Sequence, residues 1–224
     1  MKTIVVSLGG SVVLSDDLSS SYFHDLAAII EKQRHRIKLY IVVGGGKTAR
    51  SYITRGRQLR LSETTLDELG IAITRVNALL LCRLLPGANM VIPQSTDEAL
   101  QDASPVVVMG GTTPGHSTDF VGAELAMKSK AEYYIIATNV DGVYDKDPNQ
   151  YQNAKFLTSV SIHELIKQQG ITWGSAGKNV VIDGPALHLI QEAKLPSYVL
   201  NGKYLDRLEQ LLAGQPFHGT SITN

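Results

Sequence analysis

The chain has 224 residues, 43% hydrophobic and 19% charged, an ordinary globular balance that allows one domain or two. Its 21 basic residues meet 21 acidic ones, which leaves no basic footprint for nucleic acid. No apolar run reaches the length that spans a bilayer, so no membrane association is expected. The single cysteine, Cys82, has no partner for an internal disulfide and falls on the apolar helical face of NALLLCRLL as a core residue. The opening MKTIVVSLGGS is too short in its apolar part for a signal peptide, and its glycines break it; a cytoplasmic location is expected.

In chain order, TIVVSL (3–8) reads as a strand that ends in Gly9-Gly10-Ser11. YFHDLAAIIEKQR (22–34) has helical period. KLYIVV (38–43) is a second strand, ending in Gly44-Gly45-Gly46 and opening a helix through Arg50. The stretch from SETTLDEL to CRLL (62–85) is a long helix, with Ser62 and Thr65 at its start and Pro86-Gly87 at its end. NMVIP (89–93) and PVVVM (105–109) read as strands, the latter followed by GGTTPGHSTD (110–119). FVGAELAMKSK (120–130) is helical, and YYIIAT (133–138) is a strand that runs into Asn139, Asp141 and Tyr144. The polar stretch DKDPNQYQNAKFLT (145–158) reads as a surface hairpin or loop. Two more helical patterns, SIHELIKQQ (161–169) and PALHLIQEAK (185–194), precede a last strand, PSYVL (196–200). The strands are nearly continuously apolar, as strands covered on both faces are. This alternation predicts an α/β fold, a three-layer αβα sandwich with a mostly parallel central sheet. No linker, repeat or low-complexity tract divides it, so a single domain over 1–224 is expected, with one ligand in a front half and another in a back half.

The stretch YIVVGGGKTARSY holds Gly-Lys-Thr, yet it is no P-loop: that motif needs a glycine where Ile41 stands, inside a strand. Gly44, Gly46 and Ala49 also fit a dinucleotide fingerprint with Asp67 as its acid, but Asp67 sits in a helical pattern rather than at a strand end. What remains is a backbone that a ligand can approach closely, followed by helix amides that favour an anion. The same chemistry recurs at four strand ends, Gly9-Gly10-Ser11, Gly44 to Gly46, Gly110 to Asp119 and Thr138 to Tyr144. Ligands of open α/β sheets bind at such ends, so the set points to a groove for a ligand with several phosphates. Arg50, a helical turn past Gly46, can hold a phosphate with its planar fork. Lys47 is a surface lysine or a second phosphate cation. Asp141 and Asp147 either order nearby amides or hold Mg²⁺ with phosphates. Tyr144 is either packed or stacked on a base.

With these residues assembled, the chain resembles the amino-acid kinase family, and within it the archaeal-type uridylate kinase branch. The matching segments are LGGS, VVGGGKTAR, SETTLDELGIAITRVNA, GGTTPGHSTD, ATNVDGVYDKDP, VIDGPA and GTSI. The resemblance implies phosphoryl transfer from ATP to UMP with Mg²⁺, giving UDP and ADP. UMP would lie in the front half and ATP in the back half, from about residue 120. It further implies an ATP site at Gly9, Gly10, Ser11, Gly46, Arg50, Thr138, Asn139, Tyr144 and Asp147. The UMP site would comprise Gly45, Asp67, Thr112, Thr113, Pro114, Gly115, His116, Ser117 and Thr118. The transfer itself falls to Gly10, Gly46 and Arg50, with Mg²⁺ carried by phosphates rather than by assigned protein ligands. A homohexamer and feedback by UTP are family expectations. The chain departs from the pattern in one place: many members carry a lysine where Ser7 stands. Arg50, Mg²⁺ and Lys47 are the expected substitutes, with Lys178 a weaker one. His116 is expected to be a hydrogen-bonding residue, since an anionic phosphate acceptor needs no general base. Two other readings are a kinase of the same fold acting on a carboxylate, carbamate or isoprenoid phosphate, and a nucleotide- or oxyanion-binding protein without turnover.

Overall fold

The computed structural model describes residues 1–15, 19–146, 148, 150–169 and 181–224. Its centre is a seven-stranded sheet in the order β3-β2-β1-β4-β8-β9-β7. The strands are β1 (Lys2–Leu8), β2 (Ile37–Val43), β3 (Val106–Met109), β4 (Tyr133–Thr138), β7 (Ser159–Ser161), β8 (Ser197–Asn201) and β9 (Thr220–Thr223). Every neighbouring pair is parallel except β8 and β9. A separate antiparallel hairpin joins β5 (Val143–Tyr144) to β6 (Phe156–Leu157), as the polar stretch beginning at Asp145 suggested.

Helices cover both faces of the sheet. One layer holds α1 (Gly10–Val13), α2 (Ser20–Gln33), α4 (Glu63–Leu84) and α9 (Leu205–Leu212). Their Val12, Leu26, Ile30, Leu81 and Leu208 share a buried cluster with Ile4, Val6 and Leu8 of β1. The other layer holds α5 (Thr96–Gln101), α6 (Thr118–Lys128), α7 (Ile162–Gln169) and α8 (Gly184–Glu192). Its Ala99, Leu125, Leu165 and Ile190 cluster with Val5 of β1 and with Tyr40 and Val42 of β2. Successive strand residues point to opposite faces. A strand clothed on both faces is therefore apolar throughout, and the two clusters are the outer interfaces of a three-layer αβα sandwich. The remaining helix, α3 (Gly46–Gln58), starts directly from the end of β2 and packs on α4.

One expected strand is absent. NMVIP is an irregular segment in which Met90 and Val91 are 74% and 77% exposed. Buried Asn89 explains this. Its side chain accepts from Val108 N at 2.6 Å and donates to Val108 O at 3.0 Å. A side-chain amide carries a donor and an acceptor, as a peptide group does, so at Val108 it takes the place of a neighbouring strand, while the backbone of Gly87 and Asn89 pairs with Val106 in a single bridge.

The β3-β2-β1-β4 run is parallel, so these strands present their carboxyl ends on one edge of the sheet. The glycine-rich turns after β1, β2 and β3 and the Thr-Asn turn after β4 therefore emerge side by side.

Candidate active site

A cleft of about 500 Å³ opens at that edge, lined by Gly9 to Ser11, Gly44 to Gly46, Arg50, Thr118, Asp119, Ile136 to Asn139 and Val181. Its floor is made of two interlocked glycine turns. A Cβ on Gly10 would stand 2.5 Å from Gly44 O and nearer still to Gly46 N. Gly46 has φ +64°, and a Cβ there would strike Gly10 O. Only glycine allows this backbone-on-backbone approach. The turns start α1 and α3, and neither helix start is capped by a side chain. Their first amides thus form a natural seat for an anion.

Arg50 is exposed and lines both the cleft and a hollow of about 320 Å³ on the outer side of α3. Lys47 lines the outer hollow and is not among the lining residues of the cleft.

The turn after β3 is held by α4. Thr74 Oγ1 accepts from Gly111 N at 2.7 Å. Arg75 donates to Gly111 O at 3.1 Å and to Thr112 O at 3.0 Å. Asp67, one helical stretch earlier, accepts from Gly115 N at 2.7 Å, and Gly115 has φ +85°. Thr113 Oγ1 pairs with His116 Nδ1 at 3.1 Å, and the His116 ring lies 4.2 Å from that of Phe120. Ser117 caps α6, accepting from Phe120 N at 2.9 Å, and donates to Asp183, the N-cap of α8.

Ser7, buried near the end of β1, donates to Asp119 Oδ1 at 2.6 Å. Burial pushes the Asp119 carboxyl up to about 7; the charge of Asp183 adds to this and the Ser7 hydrogen bond opposes it. Asp119 keeps part of its surface open to the cleft, and it is the one carboxylate in the cleft's described lining. After β4, Asp141 accepts from Arg207 Nη1 at 2.7 Å and Asn201 Nδ2 at 3.2 Å. Burial works against its ionisation, but the Arg207 and Asn201 hydrogen bonds and the charges of Arg207 and His218 outweigh that and hold the carboxyl low. Asp141 therefore serves as an internal tie for the Thr138-Asn139 turn.

The structure thus gathers Gly9, Gly10, Ser11, Gly45, Gly46, Arg50, Thr118, Thr138 and Asn139 in one cleft. Thr112 to Ser117 and Asp67 form an adjoining loop fastened to α4. Tyr144 stands on β5, its ring edge-on to Phe156 at 5.6 Å, outside the described lining. Asp147 and Lys178 lie outside the described residues. Among the described residues no group of three or more His, Cys, Asp or Glu is placed to hold a metal ion. Sequence reading gave no role to Thr74, Arg75, Asn77 or Asp119. The available signal was that Thr74 and Asn77 fall in register with buried Leu66, Ala78 and Leu81 on α4, a polar residue type at core positions.

The sequence model of the amino acid kinase family matches residues 2–201. The chain is 42% identical over 223 residues to a uridylate kinase of Thermoplasma volcanium, covering 99% of this chain and 97% of the relative. It also resembles the crystal structure of uridylate kinase from Archaeoglobus fulgidus, with TM-score 0.86, 41% identity and full coverage of both chains. An isopentenyl phosphate kinase structure, at TM-score 0.71 and 19% identity over 98% of this chain and 100% of its own, shares the fold.

Proposed function

This chain belongs to the amino acid kinase family, and from that premise we infer that it is a uridylate kinase, transferring the γ-phosphoryl group of ATP to UMP to give UDP and ADP. The observation that carries the reading is the match of about two residues in five to archaeal uridylate kinases along nearly the whole of both chains.

The chemistry follows from the cleft. The UMP phosphate is already anionic near neutral pH, so its oxygen attacks the γ-phosphorus in line without a general base. Catalysis of such a transfer is positioning plus electrostatics. The interlocked turns at Gly10 and Gly46 line the cleft, and we assign to them the place where donor and acceptor phosphates would meet. Arg50 supplies a fixed cation with a planar fork. The turns after β1 and β4, with Thr138 and Asn139, take the ATP side. Gly45, Asp67 and the Thr112 to Thr118 loop take the UMP side. Asp67 already orders that loop through Gly115 N, and a carboxylate retains acceptor capacity for a ribose hydroxyl. Mg²⁺ would be held chiefly by the phosphate oxygens of ATP, which asks for one or two protein carboxylates at most; Asp119, in the cleft lining, is the residue that would supply one. Where many relatives place a lysine, Ser7 and Asp119 form a hydrogen bond, so the charge of the transferred group falls to Arg50 and the metal ion. We place the enzyme in the cytoplasm, in pyrimidine nucleotide biosynthesis, as a homohexamer subject to UTP feedback.

The test is ADP release with ATP, Mg²⁺ and, in turn, UMP, CMP, isopentenyl phosphate and acetylglutamate. Turnover should be fastest with UMP, and preference for another acceptor overturns the reading. Arg50→Ala should lower kcat by at least about 100-fold, as loss of a transition-state donor does; near-normal turnover removes Arg50 from the mechanism.

A further inference from the structure

Asn77 lies in the middle of α4 and is 4% exposed. Its neighbours on that face, Thr74, Ala78 and Leu81, are also buried. A buried amide needs partners. Asn77 finds them in the glycine turn: Nδ2 donates to Gly44 O at 2.8 Å and reaches Gly45 O at 3.5 Å. These carbonyls belong to the turn that interlocks with Gly10 and starts α3. A peptide carbonyl and the amide that follows it share one plane and point in opposite directions. Holding the Gly44 and Gly45 carbonyls toward α4 therefore turns the Gly45 and Gly46 amides away from it. Gly46 has φ +64°, and three successive glycines have little intrinsic preference for any one conformation. Their backbone must be told which one to adopt, and among the described hydrogen bonds Asn77 is the side chain that reaches it.

We propose that Asn77 is a positioning residue for phosphoryl transfer, fixing the Gly44–Gly46 turn through the carbonyls of Gly44 and Gly45. This rests on the kinase reading above. It differs from the roles of Arg75 and Asp67, which hold only the loop assigned to UMP. The turn held by Asn77 lines the cleft where the two substrates meet. Its displacement should therefore show in the transfer step rather than in the affinity for one substrate. Displacements of about 1 Å in such geometry cost on the order of 100-fold in rate.

Two variants test this. Asn77→Asp keeps the shape but removes the donor; Asn77→Ser keeps a donor but shortens its reach. Each is assayed for kcat and for both KM values well below its melting temperature, and hydrogen exchange is followed over residues 44–50. We expect kcat to fall at least about 30-fold in Asn77→Asp and less in Asn77→Ser, with both KM values within about threefold of wild type. Exchange over 44–50 should quicken while the β1 and β4 segments keep their protection. A kcat within about threefold of wild type in Asn77→Asp overturns the proposal, as does a loss explained by a larger KM for one substrate. If the wild-type protein fails to phosphorylate UMP, the reading of the reaction falls, and exchange alone then judges Asn77: unchanged exchange over 44–50 in Asn77→Asp overturns it.

Discussion

Ser7 and Asp119 meet inside the sheet edge where a cation would be expected. A carboxyl there is surrounded by protein on most sides, and the charge that reaches it comes from Asp183, which is of like sign. An ordinary aspartate titrates near 3.9, whereas burial raises this one to about 7. Between those values the folded chain binds more protons than the unfolded one, so stability falls as pH rises through that window. Above pH 7 the cost is fully expressed. Asp119→Asn should therefore raise Tm at pH 8 by a few degrees, from a gain of about 1–2 kcal/mol once the side open to the cleft is allowed for. At pH 5 it should gain much less. Thermal melts at the two pH values check this, and an equal shift at both contradicts the assignment. Asp119 stood in plain view within GGTTPGHSTD, yet its burial beside Ser7 comes from two residues on different elements. The glycines were legible because they fall in short runs directly after apolar strand segments. Asp119, Thr74, Arg75 and Asn77 were not, because each acts on a segment far away in the chain.

The long elements declared themselves through period and punctuation. Ser62 accepts from Thr65 N at 3.2 Å, capping α4 where Ser-x-x-Thr placed its start. The short elements were missed for an equally physical reason. In α9 the buried Leu208, Leu211 and Leu212 do follow helical spacing, but two turns give little pattern to read. The strands β7 and β9 owe their existence to each other and to β8, a pairing no local window contains. NMVIP had a strand's composition, yet a one-residue bridge at Ala88 and the Asn89 side chain already fill the place beside β3. At the same scale, the α1 and α3 starts form one unit because Gly10 lies against Gly44 and Gly46. Gly10→Ala inserts a methyl group into that contact, where overpacking costs about 1–3 kcal/mol and shifts backbone. We expect ATP affinity to fall at least about tenfold, one pKd unit, with a lower Tm. Calorimetric titration with ATP measures it, and unchanged affinity would mean that the two turns do not act together.

Viewed whole, the molecule turns one side of α4 inward, where it fastens the cleft's loops, and the other side outward. Val76, Leu79, Leu80 and Leu84 on that outer side are 62%, 42%, 44% and 39% exposed, at spacings that form one helical stripe. A contiguous apolar stripe of this kind fits a contact surface, and we propose that subunits of the proposed homohexamer meet there. Leu80→Glu sets a charge on an exposed position and should spare the fold. Light scattering coupled to gel filtration should show a smaller assembly at unchanged helix content. A variant that keeps the full mass would move the contact elsewhere.

β1 pairs with β2 soon after the chain turns back through α2, but on its other side it pairs with β4, Ile4 facing Tyr133. Those partners lie more than half the chain apart, and the cleft straddles their join, with Gly9 N donating to Ala137 O across it at 2.9 Å. Contacts between distant segments are reached slowly, because loop closure must be met before they repay it. The consequence is one of timing. Until the join between β1 and β4 is made, a refolding chain has nowhere to bring two nucleotides together, whatever else of it has already folded.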